Sequence, residues 1–211
     1  MSRSLKVLRL LQPSLPGTVM CGNMLVVTPT DYIARGFSLD TTWHKGEVKL
    51  WKVVMPLHRP FNNVTLDYSD TIPGESSGRF LIEKQDCAKP ADRILEKIAL
   101  HLPSLEKLRG PQEFVAYIAW RSGSSATSVS IDFGLSHYLT GDVERAAVIF
   151  RNAARAAEAQ EPKWRGPHAA LATLLRDQIE IDPDRLKDMI DGWRDKNIER
   201  LGLSASDARN H

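Results

Sequence analysis

Apolar residues recur at every third or fourth position through the latter half of the chain, while the stretch between Met24 and Ile72 follows a shorter period cut by turn residues. Ile94, Leu95, Ile98 and Leu102 mark a helix over 90–101. Phe114, Val115, Ile118 and Ala119 mark another that Pro111 opens. Residues 131–139 and 143–157 predict a helix pair around Thr140-Gly141-Asp142. Leu171, Leu174, Leu175 and Ile179 predict a helix over 167–179. Leu186, Met189, Ile190 and Trp193, spaced i, i+3, i+4, i+7, predict a last one capped by Asp182-Pro183-Asp184. Residues 204–211 read as a polar tail expected to fray.

The front of the chain carries the strand signals. Thr28-Pro29-Thr30-Asp31 predicts a short helix through Tyr32, Ile33 and Ala34 that stops at Gly36. Residues 37–43 then predict a strand, His44-Lys45-Gly46 a turn, and 47–55 the returning strand. Along the second strand Val48, Leu50 and Lys52 share one face and Lys49, Trp51 and Val53 the other, so each face is covered in part. Pro56 and Pro60 end it, Asn62-Asn63 turns, and 64–68 alternates like a third strand with one wet face. A three-strand antiparallel meander needs a helical layer to be stable. The fold class expected is therefore α+β, a small N-terminal antiparallel sheet packed with a C-terminal multi-helix region. The expected divisions are a flexible leader over 1–23, a β-rich region over 24–89, a helical region over 90–203 and a tail over 204–211.

Composition narrows the class without naming it. The chain has 211 residues, 42% hydrophobic and 26% charged, enough for a packed core. Its 28 Lys and Arg are interspersed with 26 Asp and Glu, so no basic stripe of a nucleic-acid binder stands out, and no nucleic-acid partner is expected. No apolar run approaches the roughly 20 residues that span a bilayer, so no membrane partner is expected either. The first residues set Arg3, Lys6 and Arg9 among Leu5, Val7, Leu8, Leu10 and Leu11, with no acid before Asp31. This opening reads as an organelle transit segment, as a short surface helix, or as surplus before a start at Met20 or Met24; Pro13 and Pro16 favour a loosely packed leader. Cys21 and Cys87 are far apart and read as solitary thiols in a reducing cytosol.

Candidate chemistry is sparse. Gly74-Glu75-Ser76-Ser77-Gly78 matches G-x-S-x-G, but that elbow needs a strand before it and later strands carrying an acid and a His; a Ser/Gly loop is the expected reading. His44, His58, His101, His137, His168 and His211 show no ligand spacing, and no metal or cofactor is expected. Asp182, Asp184 and Asp188 fail as a calcium loop because Lys187 stands where that loop requires Gly. The segment from Trp51 to Asn63 crowds aromatic, Arg, His, Pro and Asn residues together. It reads either as an interface or as a proline-framed corner that packs Trp51 and Phe61 inward.

Gly134, Gly141, Ala146, Phe150 and Ala153 stand at the spacing of a small residue, a turn glycine and the second-helix positions of a helical repeat. On these residues the segment 133–153 resembles a tetratricopeptide-repeat hairpin. Ser130, His137 and Glu158 depart from the family's pattern, and no second copy lies about 34 residues away in either direction. The resemblance covers roughly a tenth of the chain and implies a single repeat-like hairpin. It also implies that first-helix side chains such as Ile131 and Leu135 face a partner; the alternative is that they pack against the β-rich half.

The function expected is that of a non-enzymatic, cytoplasmic, bacterial-style accessory protein that binds another protein, with an immunity- or antitoxin-like role as its sharpest form. The expected partner-binding residues are Trp43, His44, Trp51, His58, Arg59, Asn62 and Asn63. No catalytic residue is assigned. The rival is an enzyme of unrecognised type using His58, Arg59 and nearby acids in a site between sheet and helices.

Overall fold

A computed structural model describes residues 2–61, 68–74, 79–82, 87–119, 127–160 and 167–208. It shows an α+β chain that divides into two units. One holds residues 1–57, 61–109 and 197–211; the other holds His58–Pro60 and Gly110–Lys196. The division does not follow the expected boundary near residue 90, because the first long helix after the strands belongs with the sheet.

In the first unit, α1 (Arg3–Leu11) precedes β1 (Thr18–Cys21), β2 (Met24–Val27), β3 (Ile33–Thr41), β4 (Glu47–Pro56), β5 (Asp70–Ile72), β6 (Phe80–Leu81) and α2 (Ala88–Glu106). The strands form one antiparallel sheet in the order β1-β2-β3-β4-β5, with β6 also on β4. Among the described residues it has six strands where a three-strand meander was expected. Residues 62–67, which hold most of the expected third strand, lie outside the described residues.

The expected leader is instead structured. Ser2 accepts the Leu5 N–H to cap α1, whose Val7, Leu8 and Leu11 are buried, and β1 forms the sheet edge. The expected helix over Tyr32–Ala34 is the start of β3, paired with the end of β4 from Ile33 opposite Pro56 onward. Local start signals lost there to burial: Ile33 through Leu39 are all buried, so both faces of β3 are covered and its seven residues read as a near-continuous run.

The strand alternation sorts two layers. One face gives Met24, Val26, Ala34, Val53 and Met55 to a cluster with Leu57, Phe61, Ile198, Leu201, Leu203 and Ala208. On the other face, buried Arg35 donates Nε–H to the Leu105 carbonyl at 2.9 Å and Nη1–H to the Pro29 carbonyl at 2.9 Å. A cation at the carbonyl end of α2 meets the negative pole of that helix. The tail is not frayed over 205–208: it forms α8 (Ala205–Ala208), and Thr30 N–H donates to the Asp207 carbonyl at 2.7 Å.

The second unit is helical: α3 (Pro111–Ala119), α4 (Thr127–Leu139), α5 (Val143–Glu158), α6 (Pro167–Ile181) and most of α7 (Pro183–Leu201). Gly141, at φ +87°, turns α4 into α5, and Asp142 accepts the Arg145 N–H as the α5 cap. A Cβ on Gly134 would overlap the Phe150 ring, which is why the α4–α5 crossing needs a residue without a side chain. Ile131 and Leu135 are fully buried. Asp182 caps α7 through Arg185 N–H, and on that helix Leu186 and Ile190 are buried whereas Trp193 is only partly so. No described helix is long and apolar enough to cross a membrane.

Candidate functional site

After β4 the chain runs through Leu57, His58, Arg59, Pro60 and Phe61. Leu57 and Phe61 anchor in the first unit: Asn197 Nδ2 donates to the Leu57 carbonyl at 2.9 Å and Arg200 donates to the Phe61 carbonyl. His58 and Arg59 are buried in the second unit. Arg59 Nε lies 2.7 Å from Asp132 Oδ1 on α4, with the two side chains 4% and 0% exposed. His58 Nε2 stands 3.9 Å from the same oxygen, and its ring meets Phe114 edge-on at 5.9 Å. Two opposite charges this deep must be paired to exist there at all. The geometry makes Arg59–Asp132 an internal staple, sealed from any solvent-borne reactant.

Burial above all, and then the neighbouring Arg59 charge, push His58 down to about 3, with the Asp132 backbone carbonyl acting the other way. His58 is therefore neutral in the folded protein near pH 7. An unfolded His takes its proton near pH ~6.5. Between those values the unfolded chain binds more protons, so stability is full above about 6.5 and falls as pH drops. His101 and His137, both lowered chiefly by burial, act in the same direction. Wild type is expected to lose about 2–3 kcal/mol more than His58→Gln between pH ~7 and ~4.5 in urea denaturation. Parallel losses in the two proteins would show that His58 does not carry this acid sensitivity.

Of the remaining expected site residues, Trp43 and His44 come together at the β3–β4 turn, in the first unit. Thr42 Oγ1 accepts the His44 N–H, Thr42 N–H donates to Glu47 O, and Gly46 takes φ +92°, which only glycine adopts readily. This tight turn leaves Trp43 87% exposed with its ring centroid 5.0 Å from that of His44. Trp51, on β4, packs partly buried against the core cluster that includes Phe61, so the inward-packing alternative describes these two. Asn62 and Asn63 lie outside the described residues, as do residues 75–78 of the G-x-S-x-G match. The seven expected residues thus form no single constellation among those described: Trp43 and His44 share one turn, Trp51 lies in a strand, and His58 and Arg59 belong to the other unit.

Several chemically distinctive residues escaped the sequence reading. Asp132 gave no clear signal, because Ser128 and Ser136 stand one helical turn either side of it. His137 packs edge-on against Phe133 at 4.6 Å and sets Nδ1 3.3 Å from Asp142 Oδ2. That pair lines a groove of about 590 Å³ with Glu113 and Thr140, but Nε2 is buried and without a hydrogen bond among the described residues. A second groove, of about 530 Å³, runs between α5 and α6 past Ala157, Ala170 and Leu174. Arg176 pairs with both of its acids, Glu158 at 2.9 Å and Asp177 at 2.8 Å. No group of three His, Cys, Asp or Glu able to hold a metal ion occurs among the described residues, and Cys21 and Cys87 are free thiols. No family model, no curated protein and no solved structure matches this chain.

Proposed function

We propose that this chain is a non-enzymatic accessory protein that binds another protein through the β3–β4 turn, with Trp43 as the anchor. The observation that carries the reading is the 87% exposure of Trp43 on a turn pinned by backbone and side-chain hydrogen bonds. Keeping a Trp in water forgoes the burial that would otherwise stabilise the fold. Presented on a fixed turn, the same ring is the residue type most enriched among interface hot spots, and little entropy is lost when it docks. His44 lies tilted beside it at 5.0 Å and widens the contact.

The reading is tested by affinity capture from the native host with wild type and Trp43→Ala. The variant is expected to melt as wild type does, because its side chain touches little, within about 0.5 kcal/mol. A partner recovered stoichiometrically by wild type is expected to bind the variant at least about 30-fold more weakly, the measure of a hot spot. Equal recovery by both proteins, or no stoichiometric partner, would sink the reading. In its sharpest form, immunity- or antitoxin-like action, the captured protein is a toxin whose growth arrest wild type relieves and Trp43→Ala does not.

A further inference from the structure

We infer that the partner of the β3–β4 turn is a protein whose contact surface is acidic around an apolar recess; this rests on the reading above and adds the chemistry of the partner. Arg3 fixes where the charge sits. Its guanidinium donates to the Ile82 carbonyl at 3.1 Å and lies 2.8 Å from where a Cβ on Gly46 would stand, so the first turn of α1 adjoins the β3–β4 turn. On α1, burial of Ser4, Val7, Leu8 and Leu11 sets Lys6 and Arg9 on the outer face, beside Leu10 at 54% exposure. Lys45 is exposed on the turn itself. Leu81 on β6, 59% exposed, lies 3.7 Å from the same Gly46 Cβ position.

Among the described residues few acids stand near this turn, and Asp40 on β3 accepts from Asn23 Nδ2 at 2.9 Å. No acid precedes Asp31 in the sequence, and Glu47, beside the turn, is taken by Arg79 at 2.8 Å, which holds its carboxyl below the usual range. None of Lys6, Arg9 and Lys45 pairs with an acid among the described residues. With a net charge of only +2 over the whole chain, the positive face is a local sorting of charge.

Magnitudes choose the partner class. Strong nucleic-acid binders neutralise about six to ten phosphates, more than these few cations can. One Trp and a short cationic face hold a bilayer only marginally and reversibly, since stable anchoring takes two strong signals. A protein recess that buries Trp43 and sets carboxylates at its rim suits both the exposed ring and the cations, which give orientation and encounter rate.

The test takes the protein that wild type captures and Trp43→Ala loses, and measures its affinity for the full chain. Raising NaCl from about 50 to about 300 mM is expected to weaken binding at least about tenfold. The triple variant Lys6→Glu, Arg9→Glu, Lys45→Glu is expected to weaken it at least about 30-fold while melting like wild type; the three Lys/Arg→Gln changes give a smaller loss. An affinity indifferent to salt and to charge reversal would overturn this inference and leave the protein-binding reading standing. Capture of nothing would end both. Phosphatidylcholine vesicles carrying about 30% phosphatidylserine, and an oligothymidylate strand, are expected not to bind at about 150 mM salt. Saturable binding of either, lost in the triple variant, would overturn the inference in favour of a membrane or a nucleic acid.

Discussion

Asp132→Ala is expected to destabilise the helical unit by about 3–5 kcal/mol, because it leaves the Arg59 guanidinium buried without its carboxylate. Arg59 and Asp132 are 4% and 0% exposed in their side chains, so water cannot replace the missing charge without opening the packing. The pair need not be stabilising in itself. The double replacement Arg59→Met with Asp132→Leu removes both charges at similar volume and is expected to return most of the loss, to within about 1–2 kcal/mol of wild type. Urea denaturation followed by helical circular dichroism checks both proteins. A double variant as unstable as Asp132→Ala would show that shape around Asp132, not an orphaned charge, is what matters.

The second large effect is expected at Gly36. It sits on β3 opposite Val26 of β2, and a Cβ there would overlap the Leu25 carbonyl oxygen and crowd the Val26 Cα at 3.0 Å. Both obstacles are backbone atoms of a strand with all four residues buried, so they cannot swing aside as a side chain would. Gly36→Ala is therefore expected to cost about 3 kcal/mol or more, at the upper end of what overpacking does. It should also speed amide exchange along β1 and β2, since their attachment to the sheet runs through β3. Gly22, with open space around it, is the control for size, although its φ of +59° adds strain of its own. Wild-type stability and exchange in Gly36→Ala would mean that β2 and β3 are not packed this closely.

Where periodicity was long, sequence and fold agree. Phe114, Ile118, Leu175, Ile179, Leu186 and Ile190 of the stripes are buried, whereas Ala119 and Leu174 are exposed and Trp193 is only partly buried; the turn at His44-Lys45-Gly46 joins β3 to β4 as expected. Errors fell where long-range burial outweighed local signals. Thr28 to Asp31 carries helix-start chemistry, yet Ile33 onward pairs with β4 and is covered on both sides. The basic opening read as a leader, because the burial of Val7, Leu8 and Leu11 depends on residues far along the chain. Residue 90 read as a boundary, yet Leu105 of α2 receives Arg35 from the sheet.

The candidate site was legible only in fragments, and for the same reason. Exposure of Trp43 follows from the tightness of a turn whose residues are visible in sequence. The partner of Arg59 is Asp132, 73 residues on, and no local pattern links them. Leu81 and Arg3 reach the neighbourhood of the turn through pairing of β6 and a single guanidinium contact, both long-range.

The anchoring role of Trp43 is tested most directly by placing a photo-crosslinking side chain at position 43 in the native host, with Arg155, exposed on α5, as the comparison position. Irradiation is expected to give one discrete crosslinked protein from position 43 and none from 155. No product from position 43, or the same products from both, would contradict it.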